Sequence, residues 1–200
     1  MIKTRWFAVL ALAVLPAACA SPNPTLYVLA PVPGTPVPGT IAAGAPGGRV
    51  HAKMPRVVAL RAIAIAHYLE RSQIVRSSEG YRMDVLSNEW WGEPLDTMMS
   101  RILVQELNQR LPGSTVYGDN GAISTLPDAT VEINVQRLDL DPDGAVLLAA
   151  QIAVDGKDRA SRGVAFTVRP ADATTRALVA AMSAATGQLA DTVAALLAGR

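Results

Sequence analysis

The chain has 200 residues, half of them apolar, with 18 Lys+Arg against 17 Asp+Glu and a single cysteine. One cysteine cannot form an internal disulfide or a cysteine-based zinc site, so the composition excludes disulfide-stapled scaffolds and zinc ribbons. A net charge of +1 from scattered basic residues argues against nucleic acid as the main partner. The length favours one domain with an ordinary hydrophobic core.

The first 18 residues have the anatomy of a secretory signal peptide. Lys3 and Arg5 precede an apolar run at residues 6–15, and small residues follow it. This run is well short of the ~20 residues that a helix needs to cross a bilayer. The sequence therefore predicts export, with residues 1–18 as the signal peptide and no permanent membrane-spanning helix.

Cys19 lies where the small residues end. This position resembles the lipobox of bacterial lipoproteins, in which the thiol at the new N-terminus receives a diacylglycerol. Pro16 stands three positions before the cysteine, where the usual pattern has Leu. An unmodified lone cysteine and ordinary cleavage after Ala20 are the two alternatives. Acyl chains on Cys19 would hold the protein on a membrane, and the absence of Asp after the cysteine favours the outer membrane.

Residues 19–54 are assigned to a lipidated N-terminus, a short edge strand and a linker. Residues 25–29 are β-prone and can pair at the edge of a sheet. Prolines and glycines are concentrated between residues 31 and 48, a composition that favours extended and turn conformations and is typical of a linker. The repeated Pro-Val-Pro-Gly of residues 31–39 is alternatively a docking peptide.

The next stretch shows both strand and helix periods. The almost continuously apolar run at 57–65 predicts a central strand. Residues 73–76 and 81–86 flank a turn-prone sequence and predict a hairpin. A helix is expected to begin at Pro94 and to stop at Pro112, with one apolar face on the sheet: Leu95, Met98, Ile102, Leu103, Leu107 and Leu111.

The C-terminal half predicts a meander and a second helix. Residues 131–135 alternate between apolar and polar, and the phase slips at Arg137, which indicates a β-bulge. Two turns lead into further strands at 146–154 and 164–168. Asp172 can cap a last, alanine-rich helix, which either completes the core or contacts another subunit.

Residues 55–200 are therefore predicted to form a single α+β domain. Its sheet is expected to be mostly antiparallel and packed by two main helices.

A search for chemistry finds few candidate groups. His51 and His67 have no cysteine or carboxylate at ligand spacing, so no metal site is expected. The sequence has no nucleophile elbow, Walker loop or dinucleotide fingerprint. Asp139, Asp141 and Asp143 match a calcium loop poorly, and we interpret them as turn formers and solvated charges. We expect neither a catalytic residue nor a cofactor, and the protein is predicted not to be an enzyme.

Two sequence motifs resemble those of the ABC-type transport auxiliary lipoproteins, the PqiC-like or YmbA-like outer-membrane lipoproteins. Residues 67–75 read His-Tyr-Leu-Glu-Arg-Ser-Gln-Ile-Val, residues 90–95 read Trp-Trp-Gly-Glu-Pro-Leu, and residues 180–191 lie in the last helix. The Pro/Gly-rich insertion at 31–48 departs from the family pattern. Ten residues fill places in the two family motifs: Tyr68, Leu69, Arg71, Gln73, Ile74, Val75, Trp91, Glu93, Pro94 and Leu95.

Three of these residues have a physical interpretation of their own. Arg71 after a strand end can form a bidentate pair with a carboxylate such as Glu93, and the negative charge of Glu93 would interact favourably with the positive end of the helix dipole. Trp91 is interpreted as a core anchor, with an interface contact as the alternative.

The resemblance implies a non-enzymatic outer-membrane lipoprotein of a Gram-negative envelope that faces the periplasm. Its implied partners are an MCE-domain protein, which bridges the periplasm, and the ABC permease and ATPase of the same system. The transported cargo would be lipids or other hydrophobic molecules, a transport linked to membrane integrity, and the chain would dock the bridge at the outer membrane. Homo-oligomerisation is a further expectation. The alternative is a soluble periplasmic domain that binds a hydrophobic ligand in an apolar cavity between helix and sheet.

Overall fold

The computed structural model describes residues 23–37, 54–78, 81–123, 125–156 and 159–199. The predicted signal peptide, the predicted lipidation site Cys19 and His51 lie outside these residues. Within them, nine strands form one sheet and two helices of 16 and 23 residues pack beside it. The elements are β1 (Thr25–Tyr27), β2 (Val57–Leu60), β3 (Ala64–Ile65), β4 (Gln73–Ser77), β5 (Asp84–Trp91), α1 (Leu95–Arg110), β6 (Thr115–Gly118), β7 (Ala129–Leu140), β8 (Val146–Asp155), β9 (Ala160–Val168) and α2 (Thr175–Leu197).

The long strand β7 organises the sheet. One of its edges pairs antiparallel with β8, which pairs antiparallel with β9. Its other edge meets β2, β3 and β4 in succession, all parallel. Beyond these, β6 pairs parallel with β2, β5 pairs antiparallel with β4, and β1 pairs parallel with β5.

The α+β class, the single domain and the two packing helices are confirmed, but the sheet is mixed. It is antiparallel in the β7–β8–β9 meander and in the β4–β5 hairpin, both of which the sequence predicted. It is parallel elsewhere, because α1 carries the chain from β5 to β6, which lies beyond β2 at the far side of the sheet. Crossover connections of this kind are what parallel pairing requires.

The predicted strand at 57–65 is broken into β2 and β3. Arg61 and Ala62 are exposed between them, and Ile63 is buried. The chain nevertheless follows β7 across the break, because Arg61 N donates to the Val131 carbonyl at 3.0 Å. The predicted bulge is confirmed, since the register of β7 on β8 shifts between Val135 and Arg137.

Both helices lie against the sheet through the faces that their spacing predicted. The six predicted apolar residues of α1 and its C-terminal flank are all at most 3% exposed. On α2, small side chains let the helix approach its neighbours closely, and the predicted large ones are buried or half-buried. The alanine-rich helix therefore completes the core, and its buried residues include Leu178, Met182, Ala185, Leu189, Ala190, Val193, Ala194 and Leu197.

The capping prediction for α2 is wrong in its residue. Thr174, not Asp172, is the N-cap, and its side chain accepts a hydrogen bond from Ala177 N at 3.2 Å. Asp172 lies two residues earlier and accepts from Thr174 N at 2.8 Å and from Thr174 Oγ1. Asp172 thus holds the capping residue in place and does not cap the helix itself.

The Pro/Gly-rich segment also differs from the prediction over its described part. Strand β1 pairs at the sheet edge, as predicted, and residues 29–37 then run along the seam between α1 and α2. We call residues 29–37 the strap. Its first residue, Leu29, is buried in the core, and backbone hydrogen bonds attach the rest of the strap to the helices. The strap is thus fixed to the domain mainly through its backbone. The residues beyond 37 lie outside the described part, and for them the linker stays a prediction.

Candidate partner-docking surface

The two family motifs, which are distant in sequence, meet at one end of the β4–β5 hairpin. Gln73 of the first motif lies opposite Trp90 of the second. Trp91 N donates to the Ser72 carbonyl at 2.7 Å. We call this meeting point the motif junction.

Half of the ten motif residues are buried in the core. Trp91 is only 7% exposed, which assigns it the role of core anchor. Pro94 is the N-cap of α1, and its carbonyl accepts from Met98 N at 3.0 Å. Gln73 is half-buried in β4. The other buried motif residues are Leu69, Ile74, Val75 and Leu95.

The predicted pair between Arg71 and Glu93 is wrong. Arg71 is exposed, and its Nε donates to the Tyr68 carbonyl at 3.0 Å. Glu93 instead pairs with Arg101 on α1. Each side chain has a partner close to it in sequence. Arg71 bonds to the 3-10 turn His67–Leu69, and Glu93 bonds to an exposed arginine of α1.

Tyr68 anchors the first motif to β7 through a buried acid. Its hydroxyl donates to Asp139 Oδ2 at 2.8 Å, and Ser78 Oγ donates to the same oxygen at 2.5 Å. Arg137 Nε donates to Asp139 Oδ1 at 2.7 Å and balances the charge. Burial, followed by the hydrogen bond to Asp139, raises the pKa of Tyr68 to about 12.

The interpretation of Asp139 as a solvated turn residue is therefore wrong, because its side chain is fully buried. The same interpretation holds for Asp141, whose Oδ1 accepts from Asp143 N at 3.0 Å and from Ala145 N at 2.8 Å. Gly144 completes that turn with a φ of +74°, a conformation that favours glycine. His67 is exposed, and its ring Nδ1 lies 2.6 Å from Glu70 Oε2.

An apolar patch borders the motif junction at the free edge of β1. Leu26 lies opposite Trp90 in the parallel register, and Leu26 and Val28 are 61% and 56% exposed. We call Leu26, Val28 and Trp90 the edge surface. The Tyr27 carbonyl accepts from Gly92 N at 2.8 Å, so Tyr27 points its backbone groups towards β5. Because these groups alternate along a strand, those of Leu26 point towards the free edge.

A second constellation lies under the strap, where three charged residues form what we call the clasp: Glu106, Arg110 and Asp191. Glu106 Oε1 accepts from Val32 N at 2.6 Å, and Arg110 Nε donates to Asp191 Oδ1 at 2.5 Å. Arg110 also reaches the carbonyls of Val32 at 3.4 Å and Gly187 at 3.1 Å. Glu106 and Arg110 are almost fully buried, and Glu106 Oε2 has no hydrogen-bond partner among the described residues.

Burial of the Glu106 carboxyl raises its pKa, against the opposing effects of the Val32 N–H and the Arg110 guanidinium. The sequence analysis missed the clasp, although a signal was present. Glu106 and Arg110 continue the stripe of Met99 and Leu103 at helical spacing, which places charged side chains on a buried face.

The described residues contain no group of three or more His, Cys, Asp or Glu side chains that could hold a metal ion. None of the described helices has the length and hydropathy needed to cross a membrane. Around the motifs, a buried scaffold carries exposed apolar side chains at one edge of the sheet.

Comparison with known proteins identifies the family. The model of the ABC-type transport auxiliary lipoprotein component matches residues 40–194. The chain belongs to this family. Membership confirms the resemblance seen in the two motifs and makes the protein a transport-associated lipoprotein of the cell envelope.

Solved structures share the fold at low sequence identity. An uncharacterised protein has a TM-score of 0.69 and 17% identity, with 88% of this chain and 99% of that chain covered. A Xanthomonas campestris protein of the DUF330 family has a TM-score of 0.66 and 17% identity, with 88% and 96% covered. No curated protein matches the sequence significantly.

Proposed function

We propose that this protein is the outer-membrane lipoprotein subunit of an MCE/ABC-type intermembrane lipid transport system. It docks the periplasm-spanning MCE-domain protein at the outer membrane, while the ABC permease and ATPase act at the other end. Family membership over residues 40–194 carries this proposal. Cys19 supplies the lipid anchor, and the protein itself catalyses no reaction.

The edge surface is the contact site that best suits this role. It presents two largely exposed apolar side chains, Leu26 and Val28, beside Trp90. Its strand edge can accept a strand from the partner, as in β-augmentation, in which the backbone gives affinity and alternate side chains give specificity. Strand β1 begins at Thr25, close in sequence to Cys19, so the docked partner would lie near the membrane.

The experiment is a pull-down of the tagged full-length protein from crosslinked envelope extracts, followed by identification of the recovered MCE protein. Leu26→Asp places a charge in the edge surface and is expected to reduce recovery about tenfold or more, the loss expected when an apolar anchor becomes charged. The matched control is Leu126→Asp. Leu126 is 91% exposed and follows β6, at the opposite end of the sheet from β1.

Equal recovery of the MCE protein with wild type and Leu26→Asp would reject the edge surface as the docking site. Recovery of no MCE protein by the wild type would reject the docking function itself. Circular dichroism of both variants checks that each is folded.

The alternative, a carrier that binds a hydrophobic ligand between helix and sheet, has less support. That interface is filled by large side chains with no exposure, among them Met98, Ile102, Leu103 and Leu148. A cavity of about 620 Å³ instead opens away from this interface, over β7 and β8, and its lining mixes charged and amide side chains such as Glu132, Asn134 and Gln151 with apolar ones. Native mass spectrometry of the exported protein separates the two functions, because a carrier would retain bound lipid.

A further inference from the structure

The strap contains the first copy of a tandem repeat. Residues 31–35 and 36–40 both read Pro-Val-Pro-Gly-Thr. The first copy lies on the seam between α1 and α2, and the last three residues of the second copy lie beyond the described part. The repeat also lies almost entirely before residue 40, where the family match begins. The repeat, apart from its last residue, therefore lies outside the part of the chain that the family model matches.

The seam binds the first copy mainly through its backbone. Val32 N donates to Glu106 Oε1 at 2.6 Å, and the Val32 carbonyl accepts from Arg110 Nη1 at 3.4 Å. Val37 N donates to the Arg110 carbonyl at 2.9 Å. Binding of this kind requires an N–H at positions 32 and 37 and tolerates proline between them.

Gly34 adds a strict requirement for a residue without a side chain. A Cβ built on Gly34 would lie 2.2 Å from Arg110 Cζ and 2.5 Å from Arg110 Nε. The buried guanidinium cannot move freely, because Asp191 and the Gly187 carbonyl hold it. The seam therefore accepts only glycine at this position.

The N–H groups needed at positions 32 and 37 and the glycine needed at position 34 leave one other way to align the chain on the seam. We call the observed alignment the first register and the alternative the second register. A shift of one to four residues would place Thr, Pro, Val or Pro over Arg110, and each of these carries a Cβ. A shift of five residues places Gly39 over Arg110 and Val37 against Glu106. It also puts Ala42, which has an N–H, at the position that Val37 now occupies.

We propose that the seam between α1 and α2 is a binding site for the Pro-Val-Pro-Gly-Thr pentapeptide and accepts either copy of the repeat. The first copy occupies it in this structure, supported by β1 and by the burial of Leu29. While β1 stays paired with β5, the chain enters the domain at Thr25 in both cases, so docking of the second copy places the first copy in a loop between β1 and the seam. The segment that leads from the seam to β2 becomes shorter by the same five residues. The chain between β1 and β2 thus has two arrangements, whatever partner the protein docks.

Disulfide trapping reads the register directly. A Cβ at Gly187 would lie 3.2 Å from Val32 Cβ, which is close to disulfide geometry. In the full mature chain carrying Cys19→Ser, Val32→Cys with Gly187→Cys reports the first register. Val37→Cys with Gly187→Cys reports the second. The control pair, Thr35→Cys with Gly187→Cys, brings no cysteine beside residue 187 in either register.

We expect the 32–187 disulfide to dominate and the 37–187 disulfide to form in a smaller fraction. Adding Gly34→Ala to the 37–187 pair should raise its yield about tenfold, because the clash with Arg110 expels the first copy. Adding Gly39→Ala should abolish it. A 37–187 yield no greater than that of the 35–187 control, with and without Gly34→Ala, would overturn the proposal.

Urea denaturation of the cysteine-free variants gives an independent test. Gly39→Ala should leave the unfolding midpoint unchanged, and Gly34→Ala should lower it only partly, since the second copy replaces the first. The unfolding midpoint of the double variant should decrease by more than the sum of the two single-variant decreases. If Gly34→Ala alone lowers the midpoint as far as the double variant does, only one register exists and the proposal fails.

Discussion

Asp139 and Tyr68 tie the first family motif to the centre of the sheet. The carboxylate is fully buried and receives hydrogen bonds from Tyr68, Ser78 and Arg137. Filling the acceptor sites of a buried carboxylate in this way lowers the free-energy cost of burying its charge. The motif tyrosine therefore has a structural function, which is to satisfy an acid that would otherwise destabilise β7.

Tyr68→Phe removes one donor from this network and should reduce the free energy of unfolding by about 1–2 kcal/mol. Urea denaturation at neutral pH measures the loss. Tyr81→Phe is the matched control, because Tyr81 is fully exposed and its hydroxyl makes no hydrogen bond among the described residues. A Tyr68→Phe variant as stable as the wild type would contradict the structural role of the motif.

The raised pKa of Tyr68 also predicts the direction in which the folding stability changes with pH. Its pKa is about 12 in the folded chain, above the ordinary value of 10.0. The protonated hydroxyl therefore contributes stability that is complete below pH 10 and is lost as the pH rises through about 12. Tyr68→Phe should lack this alkaline loss.

Side-chain partners were the part that the sequence predicted least well. The pattern identified Tyr68, Arg71 and Glu93 as notable, but the expected pair of Arg71 with Glu93 does not form. Asp139 was placed in a solvated turn, although it is buried. Such partners depend on which strands become neighbours, and one sequence does not specify that β4 ends beside the end of β7.

At the scale of elements, periodicity predicted the helix faces, the hairpin, the meander and the bulge. These features follow from local alternation and helical spacing, which the chain carries in its own residues. The parallel pairings of β1, β2, β3 and β6 were not predicted, since they depend on crossovers between distant segments. The docked strap was missed because its hydrogen bonds to the helices are made by its backbone, and the burial of Leu29 alone leaves no periodic side-chain pattern.

The clasp under the strap leads to a prediction about Glu106. Burial raises the pKa of this carboxyl, although Arg110 and the Val32 N–H oppose the effect and Asp191 adds to it. Glu106→Gln keeps an oxygen for Val32 N and removes the buried charge, so it should stabilise the protein at pH 7. Glu106→Ala removes the acceptor and should cost about 1–3 kcal/mol of unfolding free energy.

The raised pKa of Glu106 also predicts how the stability difference between Glu106→Gln and wild type changes with pH. A carboxyl with a raised folded pKa contributes stability when it is protonated and loses that contribution as the pH rises through the folded pKa. The advantage of Glu106→Gln over wild type should therefore shrink as the pH is lowered from neutral. Thermal unfolding of both proteins across this range measures it, and an advantage that grows at lower pH would contradict the assignment.

For the molecule as a whole, the family indicates a transport-associated role, and in our proposal the N-terminus determines the location. The domain matches a transport-associated lipoprotein family over residues 40–194, and the net charge of the full sequence is only +1. No excess of positive charge would hold the chain on anionic lipid headgroups. Attachment to the outer membrane in our proposal therefore depends on acyl chains at Cys19.

The most direct test of this lipid-anchored docking role is palmitate labelling combined with density-gradient separation of the membranes, for wild type and Cys19→Ser. We predict that the wild type is labelled, accumulates as a precursor under globomycin, and fractionates with the outer membrane. Cys19→Ser should be unlabelled and leave that fraction. A wild type that is unlabelled, cleaved normally and recovered in the periplasmic fraction would contradict the anchored role and favour the soluble alternative.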